Sequence, residues 1–255
     1  MSRRAPVFGV VLVSQAVGLF IAAAIALLRA EAFPSGQDVV VCLVAGLLGG
    51  VGVTALYRGL AVGRMAIVAP VTGVLAAIIP VVAGIALQGM PGPMVLAGIA
   101  LAIAAVLLVS RVADVGGGRA GLSEALVAGV CIGLFGVVIA GLSDGNVFAA
   151  LTVIRAVQAV LVVAAILATS SAWRPGRRVL PAIAAIGAMD MAGNALYLLA
   201  VQSGALAIAS VLSALYPVVT VILAALLLRE RVTRDHTVGI GLAAVAIALI
   251  GIGSA

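Results

Sequence analysis

The chain has no lysine, one histidine, one tryptophan and two cysteines, and only 9% of its 255 residues are charged. A soluble domain carries about 25% charged residues and about 45–50% apolar ones. Here 65% of residues are hydrophobic and the mean hydropathy is +1.40. A sphere of this size could not hide that much apolar surface from water. The scarcity of charge therefore excludes a soluble enzyme, a nucleic-acid-binding protein and a disordered chain, and makes a bilayer the solvent. Cys42 and Cys131 lie far apart inside apolar runs. With a single His they can build neither a disulfide framework nor a zinc site, so no metal and no cofactor is expected. The missing lysine is of a different kind: all 14 basic residues are Arg, which fits genomic composition bias better than chemistry.

What is present is a series of long apolar runs. A membrane helix needs about 20 mainly apolar residues. Cutting at charged, Gly/Pro and Gln/Ser clusters gives nine: 7–28, 39–61, 66–87, 93–110, 122–142, 147–168, 182–201, 207–228 and 237–253. The first is too long for a signal-peptide core and has no small-x-small cleavage site, so it counts as a span. Continuous rather than alternating hydrophobicity excludes a barrel. The expected fold is an all-α, polytopic helical membrane bundle of nine spans. Ala and Gly recur along them, as in "GIGLAAVAIALIGIG" (239–253), and small residues let helices approach closely in lipid.

The net charge of +6 would suggest a nucleic-acid partner in a soluble protein, but here the basic residues sit in loops. Arg3, Arg4, Arg64, Arg111, Arg119, Arg174, Arg177, Arg178, Arg229, Arg231 and Arg234 fall at the N-terminus and in every second loop; the opposite side has only Arg29. By the positive-inside rule the Arg-rich side is cytoplasmic. Nine spans then place the N-terminus in the cytoplasm and the C-terminus outside.

The two halves resemble each other. "VFGVVLVSQAVGLF" (7–20) parallels "VFAALTVIRAVQAV" (147–160), and "VTALYRGLAVG" (53–63) parallels "GNALYLLAVQSG" (193–204), both at an offset of 140 residues. "IIPVVAGIAL" (78–87) parallels "LYPVVTVILA" (215–224) at an offset of 137. Spans one to four thus repeat as spans six to nine, and span five has no partner. Equivalent spans are five apart, an odd number, so they cross the membrane in opposite directions. Such inverted repeats are common in transporters, whose substrates bind near the midplane between the halves. The first repeat is expected over 1–112 with four spans, the second over 122–255 with five. A symmetric chain would have a tenth span before Met1. "SRRAP" (2–6) reads like an interhelical loop, so the expectation is a start placed one helix late.

"NALYLLAVQSGALAIASVLSALYPVVTVILAALLLRERVT" (194–233) closely resembles the EamA repeat of the drug/metabolite transporter superfamily. "ALYRGLAVGRMAIVAPVTGVLAAIIPVVAGI" (55–85) is similar to the same module's first copy. The resemblance covers nearly the whole chain. It implies a ten-helix inner-membrane carrier for small metabolites, often an exporter, with no ATPase and no bound cofactor. This chain departs from the family pattern in three places. The first family helix is absent. The Gly-Glu-Arg that follows the fourth helix is Gln88-Gly89-Met90, and the second copy has Arg229-Glu230-Arg231. Family members are also drawn with both termini cytoplasmic, against the Arg count here.

Ionisable residues at membrane depth cost about 2.5–3.5 kcal/mol on insertion scales and need a partner or a water-filled cavity. Two stand out: Asp190 near the middle of span seven and Arg155 two turns into span six. Asp190, Asn194 and Tyr197 recur at spacings of four and three and form one helical stripe. Thr54 and Tyr57 are the equivalents of the last two, and inverted symmetry would bring the stripes face to face. Gln15 occupies the position of Arg155, and Gln158 lies one turn further on, at the position of Gly18. Span eight adds Ser210, Ser213 and Thr220 around Pro217, and span three adds Thr72 before Pro80. These polar groups are candidates to line a substrate pocket. Asp190 would bind a cation or titrate a coupling proton. Arg155 would be its ion partner or anchor a substrate carboxylate. The alternative is an Asp190–Arg155 pair that only braces helices, with the Ser and Thr bonding their own helix carbonyls. Arg29, Glu31 and Asp38 read as solvated loop charges, and His236 as a loop-edge residue.

The leading function is a secondary transporter, an exporter of a small amino-acid-like or aromatic solute, working by alternating access. A non-transporting scaffold is the alternative. An intramembrane enzyme would need a nucleophile and base or a metal cluster at depth, and neither is legible. The expected partners are the lipid bilayer, a small-molecule substrate and a proton as coupling ion.

Overall fold

The computed structural model describes residues 6–62, 65–109, 120–204, 206–215, 218–219 and 234–253. Among these the regular structure is helical throughout: α1 (Val7–Leu28), α2 (Gln37–Val62), α3 (Met65–Gln88), α4 (Pro93–Val109), α5 (Leu122–Ile139), α6 (Val147–Thr169), α7 (Leu180–Ser203), α8 (Leu206–Ala214) and α9 (Arg234–Gly253). A 3₁₀ turn, Arg177–Val179, leads into α7. The predicted runs and the helices start and stop within a few residues of each other. The exception is the run 207–228: it begins as α8 and is helical again at 218–219, and its remainder lies outside the described residues.

Among the described residues six helical stretches are long and apolar enough to cross a membrane: Val7–Leu28, Gln37–Val62, Val71–Gln88, Leu122–Ile139, Val147–Thr169 and Arg177–Ser203. The apolar stretches in α4 and α9 are shorter, Pro93–Leu108 and Thr237–Gly253. At about 1.5 Å rise per residue, the 17 residues of α4 reach only about 26 Å. These two are also the shortest of the runs read from sequence, 93–110 and 237–253. Pro93 sets the start of α4, and the charges Arg234 and Asp235 occupy the first turn of α9.

The apolar outer surface is what lipid solvates. Phe20, Val40, Leu47, Val82, Val160, Leu167 and Leu196 are all exposed, a pattern that would aggregate in water. Inside, α4 lies along α9, α3 packs between α5 and α8, α2 between α5 and α6, and α1 between α6 and α7. Two large cores result. One joins α3, α4, α8 and α9 through small and branched side chains such as Ala102, Ala105, Ala246 and Ile250. The other joins α1, α2, α5, α6 and α7 around Phe135, Ile139, Leu151, Met191 and Leu198. Lipid tails are as apolar as these side chains, so close packing rather than hydrophobic exclusion holds the helices together. At Gly129 and Gly133 of α5, an added Cβ would fall 2.6 Å from Leu75 Cβ and 2.8 Å from Ile79 Cβ on α3. Only glycine permits that approach.

Loop charges fasten the helix ends. Glu31 had been expected to be solvated, but its side chain is only 5% exposed. Its Oε2 accepts hydrogen bonds from the Phe148 and Ala149 backbone N–H groups, both at 2.8 Å, and Arg29 lies 3.1 Å from its other oxygen. The first N–H groups of a helix have no partner inside it, and the helix dipole favours an anion there. That pull accounts for the difference. Asp38 likewise accepts from the backbone N–H of Ser143 at 3.1 Å. At the same end of the bundle Gln88 Oε1 accepts from the Leu206 N–H at the start of α8 (2.9 Å).

Candidate functional site

Arg155 is the ninth residue of α6 and Asp190 the eleventh of α7, so each sits near the middle of its helix. Because α1 packs on both helices, it can present Gln15 to them. The guanidinium of Arg155 is 2% exposed, and Gln15 and Gln158 are buried with it. Nη1 donates to Gln15 Oε1, lies 2.6 Å from Asp190 Oδ2 and donates to Gln158 Oε1 at 3.5 Å. Nη2 is buried and has no hydrogen-bond partner among the described residues. Two glycines make room for this group. A Cβ on Gly18 would be 3.2 Å from Arg155 Nε, and one on Gly49 would be 2.1 Å from Gln158 Nε2.

Asp190 is the open member of the pair, with its side chain 44% exposed. It faces a cavity of about 410 Å³ bounded by α3, α5, α7 and α8, a size typical of small-molecule sites. The α7 stripe expected from sequence, Asp190, Asn194 and Tyr197, lines this cavity together with Ser210 and Ser213 of α8. Pro80 of α3 and Ile132, Phe135 and Gly136 of α5 supply apolar wall. The Tyr197 hydroxyl lies 2.9 Å from Ser210 Oγ and donates to Gly136 O at 3.3 Å, tying α7 to both neighbours. Ser210 Oγ also reaches the Leu206 carbonyl of its own helix at 2.7 Å. Asn194 Nδ2 donates to the Asp190 carbonyl at 3.0 Å.

Other predicted residues lie elsewhere. Gln15, Gln158 and Arg155 stand behind Asp190 and do not line the cavity. Thr54 lines a second cavity, between α2, α5 and α6. Tyr57 packs beside Val11, Val162 and Ile166. The two stripes therefore do not share one pocket. Thr72 is buried and donates to the Ala125 carbonyl of α5 at 3.2 Å, a helix-to-helix tie. Pro217, Thr220 and the side chain of His236 lie outside the described residues.

Sequence reasoning missed the α5 wall, because span five has no repeat partner to align with. It also missed Arg58, which stands 3.9 Å from Glu124 on the lining of the second cavity. Arg58 lies one turn from the end of α2, near the edge of the apolar run 39–61, where a charge is less conspicuous than at mid-span. Among the described residues, no group of three His, Cys, Asp or Glu could hold a metal ion.

One solved crystal structure superimposes on the chain with a TM-score of 0.78 at 18% identity, covering 97% of this chain and 89% of that one. At that identity the likeness speaks for the fold alone. No curated protein matches the sequence. Residues 119–252, just over half the chain, match the EamA-like transporter family, and the chain belongs to that family of membrane transporters.

Proposed function

We propose that the protein is a secondary transporter that moves a small organic solute, as an exporter, by alternating access between two inverted repeats, with the Asp190 cavity as its binding site. The observation that carries this is a carboxylate at mid-membrane depth, half open to a 410 Å³ cavity and backed by a sealed guanidinium. A charge there is expensive and is kept where it binds or titrates. Arg155 Nη1 lies 2.6 Å from Asp190 and is its counter-ion. When a solute ammonium or a proton takes Asp190, Gln15 and Gln158 still hold the guanidinium, so the pair opens without stranding the cation.

Among the described residues the cavity presents a carboxylate, an amide, hydroxyls and the rings of Phe135 and Tyr197, and no cation on its wall. The complementary solute has an amino group for Asp190 and an apolar or aromatic body. Within the amino-acid-like class read from sequence, the amine end is the one this wall recognises. Arg155 serves as the counter-ion of Asp190, not as a carboxylate anchor.

Packing supports the inverted repeat. Exchanging α1, α2, α3 and α4 with α6, α7, α8 and α9 turns the α1–α7 contact into α6–α2. It maps α1–α6, α3–α8 and α4–α9 onto themselves, and all of these contacts occur. α5, which packs against α2 and α3, has no image in this exchange. The Arg distribution supports an N-terminus in the cytoplasm and a C-terminus outside.

The test is a thermal-shift screen of purified protein against primary amines of graded apolar size, repeated on Asp190→Asn. Ligands that stabilise the wild type should leave the variant unshifted, and proteoliposomes should transport them only with Asp190 intact. Normal transport by Asp190→Asn would reduce the pair to a helix brace.

A further inference from the structure

The second cavity, about 500 Å³, lies apart from the Asp190 site and is not used by the transport reading. Its floor is α2, and its walls are α5 and α6, which both pack on α2. The floor residue Val51 belongs to a row on α2 with Val44 and Leu47, all exposed on the lipid-facing surface. The spacings of three and four put them on one helical face. The groove therefore opens sideways to the bilayer.

Its polarity is graded along the membrane normal. Leu161 and Ala165 of α6 line it as that helix nears its end, and Val127 of α5 continues the apolar wall. Arg58 lies one turn from the end of α2, and Ser123 and Glu124 are in the first turn of α5, so all three mark one membrane boundary. Arg58 is 70% exposed at its side chain and Glu124 23%, with Arg58 Nε 3.9 Å from Glu124 Oε1. That separation is too long for a hydrogen bond. Ser123 Oγ donates to the other carboxylate oxygen at 2.8 Å and so orients it. A cation and an anion thus stand side by side at headgroup depth, above an apolar slot that faces the acyl chains.

We propose that this groove is a binding site for a zwitterionic phospholipid with a primary ammonium, of the phosphatidylethanolamine class. Its phosphate pairs with Arg58, its ammonium donates to Glu124, and an acyl chain lies along α2 between α5 and α6. An anionic glycerol headgroup satisfies Arg58 but sets negative charge against Glu124. A choline headgroup has no N–H to donate. The cavity and its charge pair define the site without reference to the transported solute.

The experiment uses delipidated full-length protein in detergent and measures the thermal shift on adding phosphatidylethanolamine, phosphatidylcholine or phosphatidylglycerol of identical acyl chains, or glycerophosphoethanolamine alone. Native mass spectrometry counts the retained lipid. The phosphatidylethanolamine shift should exceed the other three. Arg58→Gln and Glu124→Gln should each lose most of it, Arg58→Lys should retain it, and Asp190→Asn should leave it unchanged. Equal shifts from the three lipids, or full retention in both neutral variants, would overturn the proposal. An equal shift from the headgroup alone would mean a soluble zwitterion instead. If Arg58→Gln does not fold, Arg58→Lys and Glu124→Gln carry the comparison by themselves.

Discussion

Two Arg–carboxylate pairs lie in neighbouring parts of one bundle, and their environments set them apart. Arg155 and Asp190 meet at 2.6 Å with the guanidinium 2% exposed. Arg58 and Glu124 stand 3.9 Å apart with the guanidinium 70% exposed. In the first pair the guanidinium is buried, and Gln15 and Gln158 each accept a hydrogen bond from its Nη1. The second keeps its water or headgroup contacts and gains little from its partner. The same two residue types form a buried-cation pair beside a cavity in one place and an exposed pair at a groove in the other. Depth decides which.

Breaking the inner pair should have the largest effect. Asp190→Asn should lower proteoliposome transport by at least about 100-fold, equal to about 2.7 kcal/mol of activation free energy. Its unfolding temperature should change little, because Gln15 and Gln158 still hold Arg155. Wild-type transport rates in this variant would remove the distinction between the two pairs.

Crowding the inner pair comes next. In Gly49→Leu the new side chain must enter space held by Gln158 and Phe135. Overpacking of this kind costs about 1–3 kcal/mol, and detergent unfolding curves should record it together with reduced transport. Unchanged stability would mean that Gln158 moves aside freely and is not a fixed support.

Tyr197→Phe should have a smaller effect. It removes the hydroxyl that joins Gly136 and Ser210, worth about 1 kcal/mol for a typical hydrogen bond. Apparent solute affinity should drop by less than about tenfold, with the ring still in place.

Neutralising the outer pair should be the mildest change for stability. Arg58→Gln should shift unfolding by less than about 1 kcal/mol, and transport of the solute should persist. A larger loss would show that this pair is a clamp like the inner one.

Much of the architecture was legible because lipid imposes it. A helix crossing lipid must be long, apolar and continuous, so α1, α2, α3, α6 and α7 could be bounded from hydropathy alone. Asp190 and Arg155 were legible for the converse reason: a charge inside such a run is conspicuous. Their partnership was one of two alternatives until the packing of α1, α6 and α7 brought them to 2.6 Å. Thr54 and Tyr57 were misplaced because internal symmetry relates positions in the sequence without fixing which faces meet. Glu31 was misread because its partners, the N–H groups of α6, lie 117 and 118 residues away along the chain.

The scarcity and spacing of charge by themselves determined that this is a membrane-embedded helical protein with an Arg-rich face and two charges stranded at depth. Both are consequences of solvation, which acts on each segment separately. Tertiary structure decided which stranded charges touch, which one opens to a cavity, and that a second pair stands at a membrane boundary beside an apolar slot. Those depend on helix rotation and approach, set by close contacts such as Gly129 against Leu75 and Gly49 against Gln158. Hydropathy in lipid carries no information about them, because every face of an apolar helix is equally soluble there.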